Sequence, residues 1–328
     1  MHDGRSLDHG GDLGVAISRF GGDRSEWIDL STGINRVSWP IPSLSAEVWR
    51  DLPSAAARDA CSNAARRAYR VAADAAILPV AGAQAAIQHL PRLRRPGRAA
   101  VLSPTYNEHA SAFAAEQWRV EEVTTLDALR GADTAIVVNP NNPDGRRSEP
   151  GALLDIAGTV GLLVVDESFA DIDPDVSLCA QAGRDGLLIL RSFGKFYGLA
   201  GLRLGFAIGA CDDVARLQAL DGPWPVSGPA LAIGAAALGD DAWVGATHAR
   251  LAADADRLDR LVAQVGWRSV GGTSLFRLYD VGDAAAAQQR LGRARVWSRR
   301  FPWSTNFVRL GLPGGEVEWR RLAHALEG

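Results

Sequence analysis

Lys195 is the only lysine in a chain whose 35 Lys and Arg side chains are otherwise all arginine. A composition that uses arginine for charge everywhere else keeps one primary amine, which implies chemistry a guanidinium cannot perform. The amine lies in Arg191-Ser192-Phe193-Gly194-Lys195-Phe196-Tyr197-Gly198, just after the apolar run 187–190. Ser192 stands three residues before it and Arg203 eight residues after it. A primary amine can form a Schiff base with an aldehyde, and a hydroxyl and a guanidinium can hold a phosphate. Taken alone, the segment reads equally well as a solvated loop charge between turn glycines.

Three further segments change that balance. Pro79-Val80-Ala81-Gly82-Ala83-Gln84 follows a strand pattern and opens a helix. A helix start offers unpaired amides and the positive end of its dipole to an anion, although a plain strand-to-helix turn looks the same. Val138-Asn139-Pro140-Asn141-Asn142-Pro143-Asp144-Gly145 stiffens a loop with two X-Pro steps and presents asparagine amides, where a surface turn is the ordinary alternative. Val164-Val165-Asp166-Glu167-Ser168-Phe169 ends a strand with two carboxylates, at the edge where open α/β sheets hold ligands. Asp166 is expected to be at least half buried, so it needs a cationic partner. A protonated pyridine nitrogen would serve. Glu167 is read as solvated.

The elements that must position these residues alternate. Short β-rich runs at 77–80, 99–103, 134–138, 162–165, 187–190 and 204–208 are separated by helical patterns at 83–90, 108–117 and 151–160. Alternation of this kind predicts an α/β fold, a mostly parallel sheet between helices. After about residue 239 the character changes to a long amphipathic helix (241–265), short strands at 274–278, 295–298 and 307–310, and a closing helix at 316–326. The expected division is a large domain over 40–240 and a smaller α+β domain formed by 241–328 with the N-terminal arm 1–39. That arm reads as loop-rich, packed on the smaller domain and rimming a cleft.

Composition narrows the class. With 328 residues and 47% apolar side chains, the chain can bury a large core in two domains. A net charge of −3 with both signs interspersed predicts no nucleic-acid or membrane partner. Three dispersed cysteines read as reduced thiols, and the first residues lack a cationic region followed by an apolar run, so a cytoplasmic protein is expected. The chain contains no Gly-x-Gly-x-x-Gly, Walker or Gly-x-Ser-x-Gly run, and its histidines show no metal-ligand spacing.

Together these segments resemble the fold type I enzymes that depend on pyridoxal phosphate, the class I and II aminotransferase superfamily, over nearly the whole chain. The resemblance implies a role for each matching residue. Lys195 holds the cofactor aldehyde, and Asp166 pairs with the pyridinium nitrogen. Asn142 bonds the ring 3-hydroxyl and Tyr106 stacks on the ring. The amides of Ala83 and Gln84, with Ser192 and Arg203, hold the phosphate. Arg309 takes a substrate carboxylate.

Within the superfamily, Asp8-His9-Gly10-Gly11-Asp12, the segment Asp29-Leu30-Ser31-Thr32-Gly33-Ile34-Asn35 and Gly222-Pro223-Trp224-Pro225-Val226-Ser227 are similar to the L-threonine O-3-phosphate decarboxylases of cobalamin biosynthesis. So is Phe169, where many aminotransferases have a tyrosine. This implies a small phosphorylated amino acid as substrate, with His9, Gly33, Asn35, Asn142, Arg299 and Arg309 as contacts. It also implies a homodimer. The family's Arg-Tyr-Pro segment, whose tyrosine reaches the partner's cofactor phosphate, is Arg50-Asp51-Leu52-Pro53 here, with no hydroxyl to offer. Two rival readings are a histidinol-phosphate-type aminotransferase and a non-catalytic partner of another cobalamin enzyme.

Overall fold

The computed structural model describes residues 9–327, so Asp8 and the N-terminal residues before it lie outside the described part. The chain gathers into two compact units. The larger comprises Trp39–Asn142 and Arg146–Val244, and the smaller Met1–Ser38, Pro143–Gly145 and Gly245–Gly328.

The larger unit is built on a seven-stranded sheet. Its strands are β1 (Ala76–Val80), β2 (Arg98–Leu102), β3 (Arg119–Val123), β4 (Thr134–Val138), β5 (Leu163–Asp166), β6 (Leu187–Ser192) and β7 (Gly205–Gly209). Their spatial order is β1-β7-β6-β5-β4-β2-β3. From β6 to β3 every pairing is parallel, whereas β7 runs antiparallel to both its neighbours. Strands β4 and β5 are buried at every position, which is why their sequences are continuous apolar runs with no period-two alternation. One face packs Val80, Val101, Ile136, Val164 and Leu188 against Ile87 of helix Ala83–His89 and Phe113 of helix Glu108–Ala115. Burying each such large side chain is worth roughly 1.5–3 kcal/mol.

The six strand runs expected in this unit are all present, within two residues of their predicted bounds. Strand β3 was not expected. Its sequence, Arg-Val-Glu-Glu-Val, is half polar because it forms the sheet edge, where charge discourages a further strand from pairing. The parallel arrangement matters for function. It points the C-terminal ends of β1, β2, β4, β5 and β6 at one edge, so the loops carrying Ala83, Tyr106, Asn142, Asp166 and Lys195 leave the sheet together.

The smaller unit holds a four-stranded antiparallel sheet of β8 (Arg268–Thr273), β9 (Phe276–Asp280), β10 (Arg299–Phe301) and β11 (Ser304–Gly311), in the order β10-β11-β9-β8. The strand expected at 274–278 is shifted, because Ser274 and Leu275 form the hairpin turn between β8 and β9. The N-terminal arm is less loop-like than its glycines suggest. Asp12 caps a helix, Leu13–Phe20, by accepting from the Gly14 amide, and Leu13 and Ala16 pack against Trp27 and Trp297. The short strand Ile28–Asp29 pairs in parallel with Val296–Trp297, which ties the arm to this unit. Among the described residues, no helix is long and apolar enough to cross a membrane.

Candidate active site

Asp166 is the final residue of β5 and is 2% exposed. Its Oδ2 lies 2.8 Å from His109 Nε2, and its Oδ1 accepts from the Ser168 amide at 2.9 Å and from the Ser168 hydroxyl. Burial alone would push this carboxyl up, but the bonds from His109 and Ser168 outweigh it and hold the group below the usual carboxylate range. An ionised carboxylate, buried without a permanent protein cation against it, is ready to stabilise positive charge on a ligand.

His109 was not singled out in the sequence. It is fully buried on helix Glu108–Ala115, and its Nδ1 has no hydrogen-bond partner, so the ring is held from the Asp166 side. The Tyr106 ring meets it edge-on, with centroids 6.1 Å apart at 85°. The Tyr106 hydroxyl donates to Gln84 Oε1 at 3.0 Å, and Gln84 Nε2 donates to Glu108 Oε2 at 2.7 Å. The side chain of Gln84 is therefore engaged in fixing Tyr106, while its backbone remains at the helix start. Only the spacing of Tyr106 and His109 at one helix entrance could have signalled this linkage.

Lys195 sits half-buried in the one-turn helix Phe193–Phe196, which Ser192 precedes at the end of β6. Its Nζ lies 5.8 Å from the centre of the Phe169 ring. The ring offers a π face to the ammonium and no hydroxyl. In the asparagine loop, the Asn139 and Asn141 amides hold the backbone of the loop in place. Asn139 Nδ2 donates to the Ser148 carbonyl at 3.0 Å, and Asn141 Nδ2 donates to the Pro104 carbonyl at 3.0 Å. Asn142 is half-buried beside them.

Gly82 and Arg203 show why glycine stands where it does. Gly82 has φ +79°, and a Cβ there would fall 2.7 Å from Arg203 Nη2. A Cβ on Gly205 would fall 2.6 Å from the Ala83 amide nitrogen. Arg203 itself takes a left-handed conformation, with φ 56°. Helix amides, a guanidinium and bare backbone thus converge on a space that a side chain would fill, which is how an anion cradle is made.

Glu167 departs from expectation. It is fully buried, not solvated. Arg191 Nη1 lies 3.0 Å away, the Ser177 hydroxyl donates at 2.6 Å and the Leu178 amide at 2.7 Å. Burial pushes its carboxyl up, and Arg191 only partly offsets that. Arg191 also pairs with Asp171 at 3.1 Å and covers the Tyr69 ring at 4.1 Å. An adjacent strand position thus carries a framework ion pair, because successive side chains point to opposite faces.

In the smaller unit, Arg309 is 6% exposed and donates to the Ser31 carbonyl at 2.7 Å. Arg299 is its direct cross-strand partner. Burial, and then Arg299, push Arg309 down to about 9, so it remains a cation at neutral pH. Two guanidinium groups facing each other across a sheet favour an anion at that face. Asn35 is buried, and its Oδ1 accepts from the Val37 amide and from Arg250 at 2.8 Å. Gly33 is buried and His9 is exposed.

A family model for class I and II aminotransferases matches residues 51–326. The chain belongs to the class I and II aminotransferase family. Enzymes of this class depend on pyridoxal phosphate, and the residues of this aminotransferase-family chain fit it: a lysine, a buried ionised aspartate and an anion cradle stand on loops from one sheet edge. Two relatives, both threonine-phosphate decarboxylases, are each 41% identical. The one from Pseudomonas aeruginosa covers 98% of this chain and of its own length, and the one from a Sinorhizobium covers 97% of each. A histidinol-phosphate aminotransferase of Mycobacterium bovis is 34% identical over 68% of this chain and 64% of its own. In structure, the histidinol-phosphate aminotransferase of Sinorhizobium meliloti, solved with pyridoxal-5'-phosphate, matches with a TM-score of 0.82 at 19% identity, over 96% of this chain and 94% of that one. At that identity the likeness shows the shared fold type I architecture.

Proposed function

We propose that the chain is a pyridoxal-phosphate-dependent carboxy-lyase that converts L-threonine O-3-phosphate into (R)-1-amino-2-propanol O-2-phosphate in cobalamin biosynthesis. One observation carries the reading. Likeness to threonine-phosphate decarboxylases extends over essentially the full length, including the N-terminal arm, whereas likeness to histidinol-phosphate aminotransferases covers about two thirds.

The cofactor, when bound, supplies an electron sink for bonds at the substrate's α-carbon. This chain's residues do the rest. Lys195 Nζ would hold the cofactor and is the group that would return a proton to the substrate carbon. Asp166, by remaining an anion, would keep a proton on the ring nitrogen. Asn142 would hold the ring 3-hydroxyl, and Tyr106 would pack on the ring. Ser192, Arg203 and the amides of Ala83 and Gln84 hold the cofactor phosphate. Arg309 and Arg299 suit the substrate's carboxylate and phosphate, and His9, Gly33 and Asn35 complete the substrate contacts. By fixing the substrate's anions, Arg309 and Arg299 would select which bond at its α-carbon breaks. Phe169, lacking a hydroxyl, leaves the ring oxygen one donor poorer than in enzymes with tyrosine there.

Incubation of the purified protein with threonine phosphate tests this. The expected outcome is stoichiometric carbon dioxide and amino-propanol phosphate, with negligible keto acid. Amino transfer to a 2-oxo acid as the main reaction would replace the decarboxylase with an aminotransferase. Borohydride reduction of the loaded enzyme is expected to fix the label on Lys195 alone.

A two-fold dimer is proposed as well. Ile41, Trp49, Leu52 and Trp224 of the larger unit are between 53% and 67% exposed, which large apolar side chains rarely are unless a partner covers them. The three cysteines are unpaired, in keeping with a reducing cytoplasm.

A further inference from the structure

The smaller unit contains a groove of about 1110 Å³, and the substrate reading uses Arg299 and His9 of its lining but neither Arg19 nor Arg300. A small-molecule pocket is typically about 300–1,000 Å³, so this one exceeds what a phosphorylated amino acid fills. Its lining runs from helix Leu13–Phe20, along edge strand β10, to the start of helix Ala284–Arg293.

Three guanidinium groups border it: Arg19, Arg299 and Arg300. Arg299 faces the Arg309 side of the sheet. Arg300 is paired with Val308, so alternation along β10 places it on the opposite face. Arg300 Nε is buried with no hydrogen-bond partner, and Arg19 lies over the Phe20 ring at 5.0 Å, not against a carboxylate. Between these elements is Ser298, 1% exposed, whose hydroxyl also has no partner. The Gln288 side chain donates at 2.8 Å to the Ser298 carbonyl and so fixes this residue while leaving its hydroxyl free to bond elsewhere.

Among the described residues, the groove is lined by two carboxylates, and both are committed. Asp12 caps its helix through the Gly14 amide, and Asp283 accepts from the amides of Ala285 and Ala286. A buried hydroxyl and a buried guanidinium nitrogen without partners are costly unless a ligand supplies the acceptor. A tetrahedral oxyanion does so for both, and guanidinium recognises it as a fork of donors.

We propose that Arg300, Arg19 and Ser298 form a second anion site for a small phosphate compound, on the face of β10 away from Arg309. Inorganic phosphate and the phosphate of a larger monoester share this chemistry.

The test titrates inorganic phosphate into the loaded, full-length enzyme and reads the quenching of Trp297, which lines the groove, with calorimetry for stoichiometry. Saturable binding is expected in the wild type and within about threefold in Arg299→Ala. A loss of roughly tenfold is expected in Arg300→Ala and in Arg19→Ala, with KM for threonine phosphate changed less than about twofold. Arg19 is exposed on its helix, so its variant keeps the test valid if Arg300→Ala folds poorly. Displacement of phosphate by phosphoethanolamine at lower concentration would assign the site to a monoester, and the reverse order to free phosphate. Unchanged binding in both variants, or a parallel rise in KM for threonine phosphate, would overturn the proposal.

Discussion

Asp166 and Glu167 are consecutive, equally buried carboxylates, yet their surroundings drive them in opposite directions. Asp166 is held by a histidine and a serine and is pushed below its usual range, whereas Glu167 faces Arg191 and is pushed above it. The difference lies in what each partner leaves over. Hydrogen bonds from His109 and Ser168 hold Asp166 ionised with no guanidinium or ammonium against it, so its charge faces a ligand. A guanidinium, a hydroxyl and an amide consume Glu167 entirely, so it ties β5 to β6 and does no more. Burial of a carboxylate therefore does not mark a catalytic group. What separates the two is the partner set, a histidine and a serine for Asp166 and a guanidinium for Glu167.

The largest effect that would separate the two is on turnover. Asp166→Asn is expected to lower kcat by about a thousandfold, on the order of 4 kcal/mol, while the apo protein's thermal midpoint moves little. Equal losses of activity and stability would erase the distinction. Glu167→Gln should show the inverse: a stability loss of about 3 kcal/mol in urea unfolding, because Arg191 loses its closest buried partner, with kcat per folded molecule changed less than threefold.

The smallest effect is on pH dependence. Because Asp166's folded pKa is depressed, its contribution to stability is present above the unfolded carboxylate range and is lost as pH falls through the folded value. Removing the His109 bond shrinks that contribution. His109→Asn should therefore be less stable than wild type by about 1 kcal/mol at pH 6, and the gap should narrow on acidification. A gap that stays constant from pH 6 to pH 3 would detach His109 from Asp166.

What could be read in the sequence followed the physics of burial. Strands β4, β5 and β6 stood out because both their faces are covered, leaving uninterrupted apolar runs. Strand β3, polar at a sheet edge, and the helix Leu13–Phe20, set between glycine pairs, did not carry that mark. Among the proposed site residues, Lys195, Asp166 and Asn142 could be proposed from sequence because each lies in a local motif at a strand end. His109 was not visible, because its meeting with Asp166 joins residues 57 apart through the packing of a helix on the sheet. Glu167 was misjudged for a similar reason. Its partner Arg191 is 24 residues away, and no local pattern announces an ion pair formed between two neighbouring strands.

Strand β7 carries a consequence for how the molecule matures. It inserts between β1 and β6, so Ala76 finds its partner only in Gly209. Gly82 and Arg203 belong to the first and last segments of this sheet, and they meet only when that late strand slots home. A nascent chain lacking it has no complete seat for a vitamin-derived ligand, however well its earlier strands have formed. Retention of the coloured cofactor during synthesis or refolding would then time the closing event of the whole sheet, a step made slow by the distance along the chain that it must bridge.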